Sequence, residues 1–157
     1  MFYLDLFAAL NRRVDYVLID GLAILLHGIE RATMDIDVTV AMTPGNLSAR
    51  VEMARELDMT PVVPVALESL SDLDQLAQGH RERNRRPSHS VRPACLASRW
   101  TYCPTRRLIT PKCAATFLAG DVPVAVAPID DMIAPKQAVG RPIDLADIEH
   151  LKRLKEI

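Results

Sequence analysis

The chain has 157 residues, 49% hydrophobic and 25% charged, with a formal net charge of −1, enough for one domain that buries its own core. No apolar run approaches the roughly 20 residues of a membrane helix, and the opening MFYLDLFAALNRR lacks the basic start of a secretory signal. Three cysteines, an odd number, close no disulfide framework, so the expectation is a reduced, cytoplasmic protein without membrane attachment.

Residues 2–13 place Leu4, Phe7, Ala8 and Leu10 at near-helical spacing and end on Arg12 and Arg13. That pattern predicts a short amphipathic helix whose final cations suit its C-terminal dipole. Tyr16-Val17-Leu18-Ile19 reads as a buried strand, halted by Asp20-Gly21. Gly21 to His27 reads as a short apolar helix closed by Gly28. The next strand, Met34 to Val40, alternates: Met34, Ile36, Val38 and Val40 face one side, Asp35, Asp37 and Thr39 the other.

Thr43-Pro44 predicts a helix start, hydroxyl as N-cap and proline at the first helical position. Leu47, Val51, Ala54 and Leu57 supply that helix with a core stripe. A further short helix is expected over 70–79. Beyond Gly79 neither a helical nor a strand period is found. Residues 79–113 hold nine of the 19 Lys and Arg but only one acid, Glu82, of the 20, so this segment is formally +8 and the remainder −9. It also holds Trp100 and all three cysteines. Order resumes with AATFL, a turn at Ala119-Gly120-Asp121, and VPVAVA, a predicted hairpin. Two helices close the chain: Ile129 to Val139, then one capped by Asp144 that carries Leu145, Ile148, Leu151 and Leu154.

Chemistry concentrates at Asp35 and Asp37. Two carboxylates at i and i+2 on one strand share a face and raise each other's pKa unless a cation lies between them. Mg²⁺ suits such a pair, because it takes one or two carboxylates together with substrate phosphates. The alternative is a solvated polar strand face. Asp20-Gly21 opens a helix whose free N–H groups suit a phosphate, and Arg31 and Thr33 lie between that turn and the acids.

The block VLIDGLAILLHGIERATMDIDVTV resembles the signature of the DNA polymerase β-type nucleotidyltransferases, in which a strand–glycine turn–helix precedes a strand bearing Asp-x-Asp. The nearest branch is the small bacterial nucleotidyltransferases, some of them in toxin–antitoxin and phage-defence systems. APIDDMIAPKQAVGRPIDLADIEHLKRL is similar to the closing segment of that branch, matched at Lys136, Gly140, Arg141, Asp144, Asp147 and Ile148. The likeness covers about residues 14–70 and 114–155. It implies one α+β domain over 1–157, a nucleotidyltransferase-like mixed sheet flanked by helices with a C-terminal helix pair.

The resemblance further implies that Asp35 and Asp37 are catalytic and hold two Mg²⁺ ions, and that a nucleoside triphosphate is bound near Gly21, Arg31, Thr33 and Lys136. The implied reaction moves a nucleotidyl group to a hydroxyl on protein, RNA or a small molecule. Lys136 reads either as a phosphate or acceptor contact or as an exposed helix lysine. Arg141, Asp144 and Asp147 read as fixing the last two helices by capping and pairing. The other implied function is a catalytically impaired relic that serves as a binding or antitoxin partner.

The chain departs from the family's pattern in three ways. Asp20 stands where a first glycine is usual and sets an anion beside the phosphate position. Pro135 interrupts a predicted helix, at about 3 kcal/mol or a kink. The family's third carboxylate is expected near residues 92–105, which contain no Asp or Glu. Residues 80–113 therefore read as an irregular basic insert or a degenerate strand region. Their Arg, Pro, Ser, His and Cys content resembles out-of-frame coding sequence, and the other reading frames of the gene are expected to hold an alternating strand with an acid. As it stands, the segment is a solvated insert or a nucleic-acid surface that uses Trp100 and Tyr102 for stacking. Zinc at Cys95, Cys103, Cys113, His80 and His89 is disfavoured by spacing. His27 reads as a satisfied, half-buried histidine, and Asp121 as a turn residue rather than a third ligand.

Overall fold

The computed structural model describes residues 2–33, 35–61, 66–72, 91–93, 100–102 and 114–156. Helix α1 (Phe2–Arg13) leads through Val14 into strand β1 (Tyr16–Ile19). Helix α2 (Asp20–Leu26) follows without a break, and β2 (Ile36–Val40) returns beside β1. Helix α3 (Pro44–Glu56) precedes β3 (Met59–Pro61) and a 3₁₀ turn, Leu67–Ser71. Strands β4 (Val91–Pro93) and β5 (Trp100–Tyr102) are three residues each, and β6 (Ala115–Ala119) with β7 (Val122–Val126) forms a hairpin. Helices α4 (Ile129–Val139) and α5 (Pro142–Lys155) end the chain.

The main sheet is mixed, in the order β5-β2-β1-β7-β6, and β3 and β4 form a separate pair. β1 runs antiparallel to β2, with Tyr16 opposite Val40 and Ile19 opposite Asp37, and parallel to β7, with Leu18 opposite Val126. A strand buried by neighbours on both sides needs apolar side chains on both faces. Val17 and Leu18 are fully buried and Tyr16 nearly so, which is why the run is continuous rather than alternating. Leu6 and Leu10 of α1, Ile24 of α2, Ile36 of β2, Leu47 and Met53 of α3, Val124 and Val126 of β7 and Leu151 of α5 fill the core, all with no exposed surface. The Phe7 ring stacks on Tyr16, centroids 6.2 Å apart and planes 23° from parallel.

Local expectations hold where periodicity was strong. α1, β1 and α4 run as predicted; Thr43 caps α3 through the Asn46 N–H at 3.4 Å, with Pro44 at the first turn. Gly120 takes φ 62° in the hairpin turn, a left-handed conformation that glycine adopts without steric cost. α4 continues through Pro135; the ring there removes one helical donor.

Several expectations need correction. The strand expected from Met34 begins at Ile36, and Met34 lies outside the described residues. The expected 70–79 helix is a 3₁₀ turn over 67–71 in its described part, and 73–79 lie outside it. β3 was not foreseen: three residues are too few to display a period. The aperiodic basic segment contributes β4 and β5, because pairing with β3 and β2 supplies the backbone hydrogen bonds that its own sequence pattern does not announce. Asp144 is not the N-cap of α5. Arg141 holds that position, and Asp144 in the first turn accepts from the Arg141 backbone N–H at 3.2 Å. Pro142 sets the helix start earlier than the acid suggested. Among the described residues no helix is long and apolar enough to cross a membrane.

Candidate functional site

The antiparallel register decides where the paired acids go. Ile19, the last residue of β1, lies opposite Asp37, so the acid-bearing start of β2 adjoins the turn into α2. Asp35 and Asp37 are both half-buried, whereas Ile36 and Val38 between and beyond them are buried in the core. Alternation holds at Ile36, Asp37 and Val38, the apolar pair buried and the acid half-buried, but Asp35 precedes the strand and Thr39, expected beside the acids, is buried.

Thr33 braces this segment. Its hydroxyl donates to the Asp35 carbonyl at 3.3 Å and lies 3.4 Å from the Asp35 N–H. It also packs over Gly21. A Cβ built on Gly21 meets Thr33 Oγ1 at 2.8 Å and Thr33 Cβ at 3.0 Å, so glycine is needed here for the close approach of Thr33. Of the four residues expected near the nucleotide, Gly21 and Thr33 touch each other.

The other two meet in a different group. Lys136 on α4 is only 5% exposed, and its ammonium reaches Asp147 Oδ2 at 2.8 Å, Asp20 Oδ1 at 2.5 Å and Asp144 Oδ1 at 3.7 Å. Arg31 donates from Nε to Asp147 Oδ1 at 3.2 Å and from Nη1 to the Ala32 carbonyl at 3.0 Å. Arg141 grips Asp144 with two donors at 2.7 and 2.9 Å. Asp144 and Asp147 are 1% and 3% exposed. Three cations thus balance three carboxylates, as buried charges require. The exposed-lysine alternative for Lys136 is overturned, and Arg141, Asp144 and Asp147 do join the last two helices by capping and pairing, as their spacing suggested.

Electrostatics follow from this packing. Burial pushes the Lys136 ammonium down, but its hydrogen bonds to Asp147 and Asp20, with their negative charge, outweigh burial and hold its pKa above the usual lysine value. The Arg141 guanidinium holds the Asp144 carboxyl below its usual range, against the opposing effect of burial. The same hydrogen bond raises Arg141.

The sequence marks Asp20 as an anion at the phosphate position, but not its pairing with Lys136. Asp20 is the first residue of α2, adopts φ 60°, and accepts a hydrogen bond from the Lys136 ammonium. The positive φ is unusual outside glycine, though Asp tolerates it better than most residues. The signal available in the sequence was Asp20 itself, at a position where the resemblance leads one to expect glycine.

The fit to Mg²⁺ rests on the donors. Asp35, just ahead of β2, and Asp37 within it are half-buried carboxylates, hard oxygen donors of the kind and number that Mg²⁺ takes from protein. Among the described residues no group of three or more His, Cys, Asp or Glu side chains is gathered for a metal, and a second ion would need ligands beyond them. The backbone register sets Thr101 of β5 beside Asp37, in the stretch where a third carboxylate was expected. His27 is half-buried, with Nε2 2.9 Å from the Ala127 carbonyl and its ring edge-on to Phe117 at 5.0 Å, a satisfied histidine as read. His80, His89 and the cysteines lie outside the described residues. No family model and no curated protein sequence matches this chain.

Proposed function

We propose that this chain is a nucleotidyltransferase-type domain that binds a nucleoside triphosphate with Mg²⁺ in the cytoplasm. Its reaction is transfer of the nucleotidyl group to a hydroxyl of a protein, RNA or small-molecule acceptor. The observation that carries the reading is the register of Ile19 with Asp37, which brings an Asp-x-Asp strand against a strand–glycine turn–helix.

In this reading Asp35 and Asp37 hold the metal and orient the triphosphate, and Thr33 keeps Asp35 in place through its backbone. Mg²⁺, when bound, neutralises phosphate oxygens and polarises the attacking hydroxyl. The hydroxyl oxygen forms the new bond to the α-phosphorus as the bond to pyrophosphate breaks, and the hydroxyl proton passes to solvent water. Lys136 adjoins the turn through Asp20, and Arg31 shares Asp147 with it. Calorimetric titration with ATP and Mg²⁺ tests the proposal: binding is expected in the native chain and lost in Asp35→Asn/Asp37→Asn. Equal binding in both would refute it.

A second reading is favoured by two specific observations. Asp20 already neutralises Lys136, and the strand beside β2 offers Thr101, not an acid. Both suit a catalytically impaired domain kept as a binding or antitoxin partner, or as a nucleic-acid binder through residues 79–113. No ATP binding, together with a partner or nucleic acid that binds regardless of Asp35 and Asp37, would favour it. A nucleic-acid complex would weaken steeply with salt.

A further inference from the structure

We infer that Lys136 and Arg31 form an oxyanion site for a phosphoryl group, and that Asp20 is the chain's own carboxylate seated in it. The inference deepens the proposed function, on which its choice of a phosphoryl ligand rests, and makes the Asp20–Lys136 contact autoinhibitory.

The three carboxylates around Lys136 are not equivalent. The Asp144 and Asp147 side chains are 1% and 4% exposed and are also held by Arg141 and Arg31, respectively. Asp20 is 36% exposed, and among the described residues it pairs with Lys136 alone. It is therefore the one member that solvent and ligand can reach. Its backbone sits at φ 60°, outside the regions that non-glycine residues favour, so the contact is made against a local preference. Gly21 follows directly, with Thr33 closing its other side. Removing the Asp20 charge leaves two carboxylates against Lys136, Arg31 and Arg141, an excess of one positive charge beside a partly exposed position. A phosphoryl oxygen is the ligand that repairs that imbalance, because it accepts hydrogen bonds from an ammonium and carries compensating charge.

The test uses inorganic triphosphate without metal, titrated calorimetrically into the native chain and into Asp20→Gly and Asp20→Asn. Glycine removes the charge and suits the positive φ; asparagine keeps the shape. Both variants are expected to bind triphosphate about tenfold or more tightly than the native chain, the effect of removing one like charge at contact distance. The gain should persist when Asp35→Asn/Asp37→Asn is added, because it needs no metal. Affinities equal to that of the native chain overturn the inference and leave the Mg²⁺–ATP proposal to its own experiment. Failure of both variants to fold at any triphosphate concentration also overturns it, since Asp20 would then be a structural counter-ion only. A variant that folds only when triphosphate is present supports it.

Discussion

Replacing Lys136 by methionine keeps the apolar stem of the side chain and deletes the charge at the centre of the buried cluster. Three carboxylate contacts are lost, at 2.5, 2.8 and 3.7 Å from the ammonium. At an effective dielectric near 20 each is worth about 4–7 kcal/mol in gross attraction, but dehydrating each ion costs several kcal/mol, which cancels much of it. The relevant quantity is the penalty of leaving Asp147 and Asp144 buried with one partner fewer, about 3–5 kcal/mol for a broken buried pair. Arg31 and Arg141 still engage these acids, which favours the lower end. For a chain of this size about 3 kcal/mol lowers the melting midpoint by roughly 6–12 °C, and urea unfolding followed by circular dichroism would read it. The pH response supplies a second handle. Asp144 has a depressed pKa in the fold, so its stabilisation is present above its unfolded value and lost as pH falls through the folded one. Lys136, raised in the fold, stabilises below its unfolded value and loses that contribution only in alkali. The methionine variant should therefore lose the Lys136 share of the alkaline dependence, leaving that of Tyr16, and show a shallower acid loss, since its crowded carboxylates gain from protonation. A cost below about 1 kcal/mol, the range of exposed surface pairs, would show that the cluster is hydrated and refute the reasoning.

Three further outcomes are expected. Thr101→Asp sets an acid beside Asp37 in the β2–β5 register and should tighten Mg²⁺ binding by about tenfold, the effect of one more charge at the ion; unchanged affinity in a calorimetric titration would count against Asp35 and Asp37 as the metal site. Gly21→Ala drives a Cβ to 2.8 Å from Thr33 Oγ1 and should destabilise by about 1–3 kcal/mol, with partial recovery when Thr33→Ala is added; full additivity of the two changes in urea unfolding would contradict the contact. Tyr16, whose phenol burial pushes up to about 12 against an opposing hydrogen bond at Ala125, stabilises the fold at neutral pH and loses that contribution as pH rises from about 10 to about 12. Tyr16→Phe should flatten the alkaline limb of the stability curve while costing about 1 kcal/mol for the bond to Asn11 at 3.1 Å; an unaltered limb would disprove the assignment.

Local order was legible in the chain itself. The near-helical spacing of Leu4, Phe7, Ala8 and Leu10, the continuous Tyr16–Ile19 run, Thr43-Pro44 and the Gly120 turn each depend on residues a few positions apart, and physics at that range is written in periodicity and caps; that Leu6 is fully buried in α1 while Leu4 is half-buried was decided by packing. The alternation around Ile36 and Val38 likewise announced β2, with Asp37 on its half-buried face, though not that the strand would leave Asp35 ahead of it. The tertiary structure alone decided partners. Lys136 meets Asp20 across 116 positions, and no local pattern reveals which of several nearby acids a lysine will choose. It also decided that Thr33 occupies the space beside Gly21, and that an aperiodic basic segment contributes β5 to the edge of the sheet. These choices rest on burial and on satisfying backbone and charge in three dimensions, which a one-dimensional pattern does not carry.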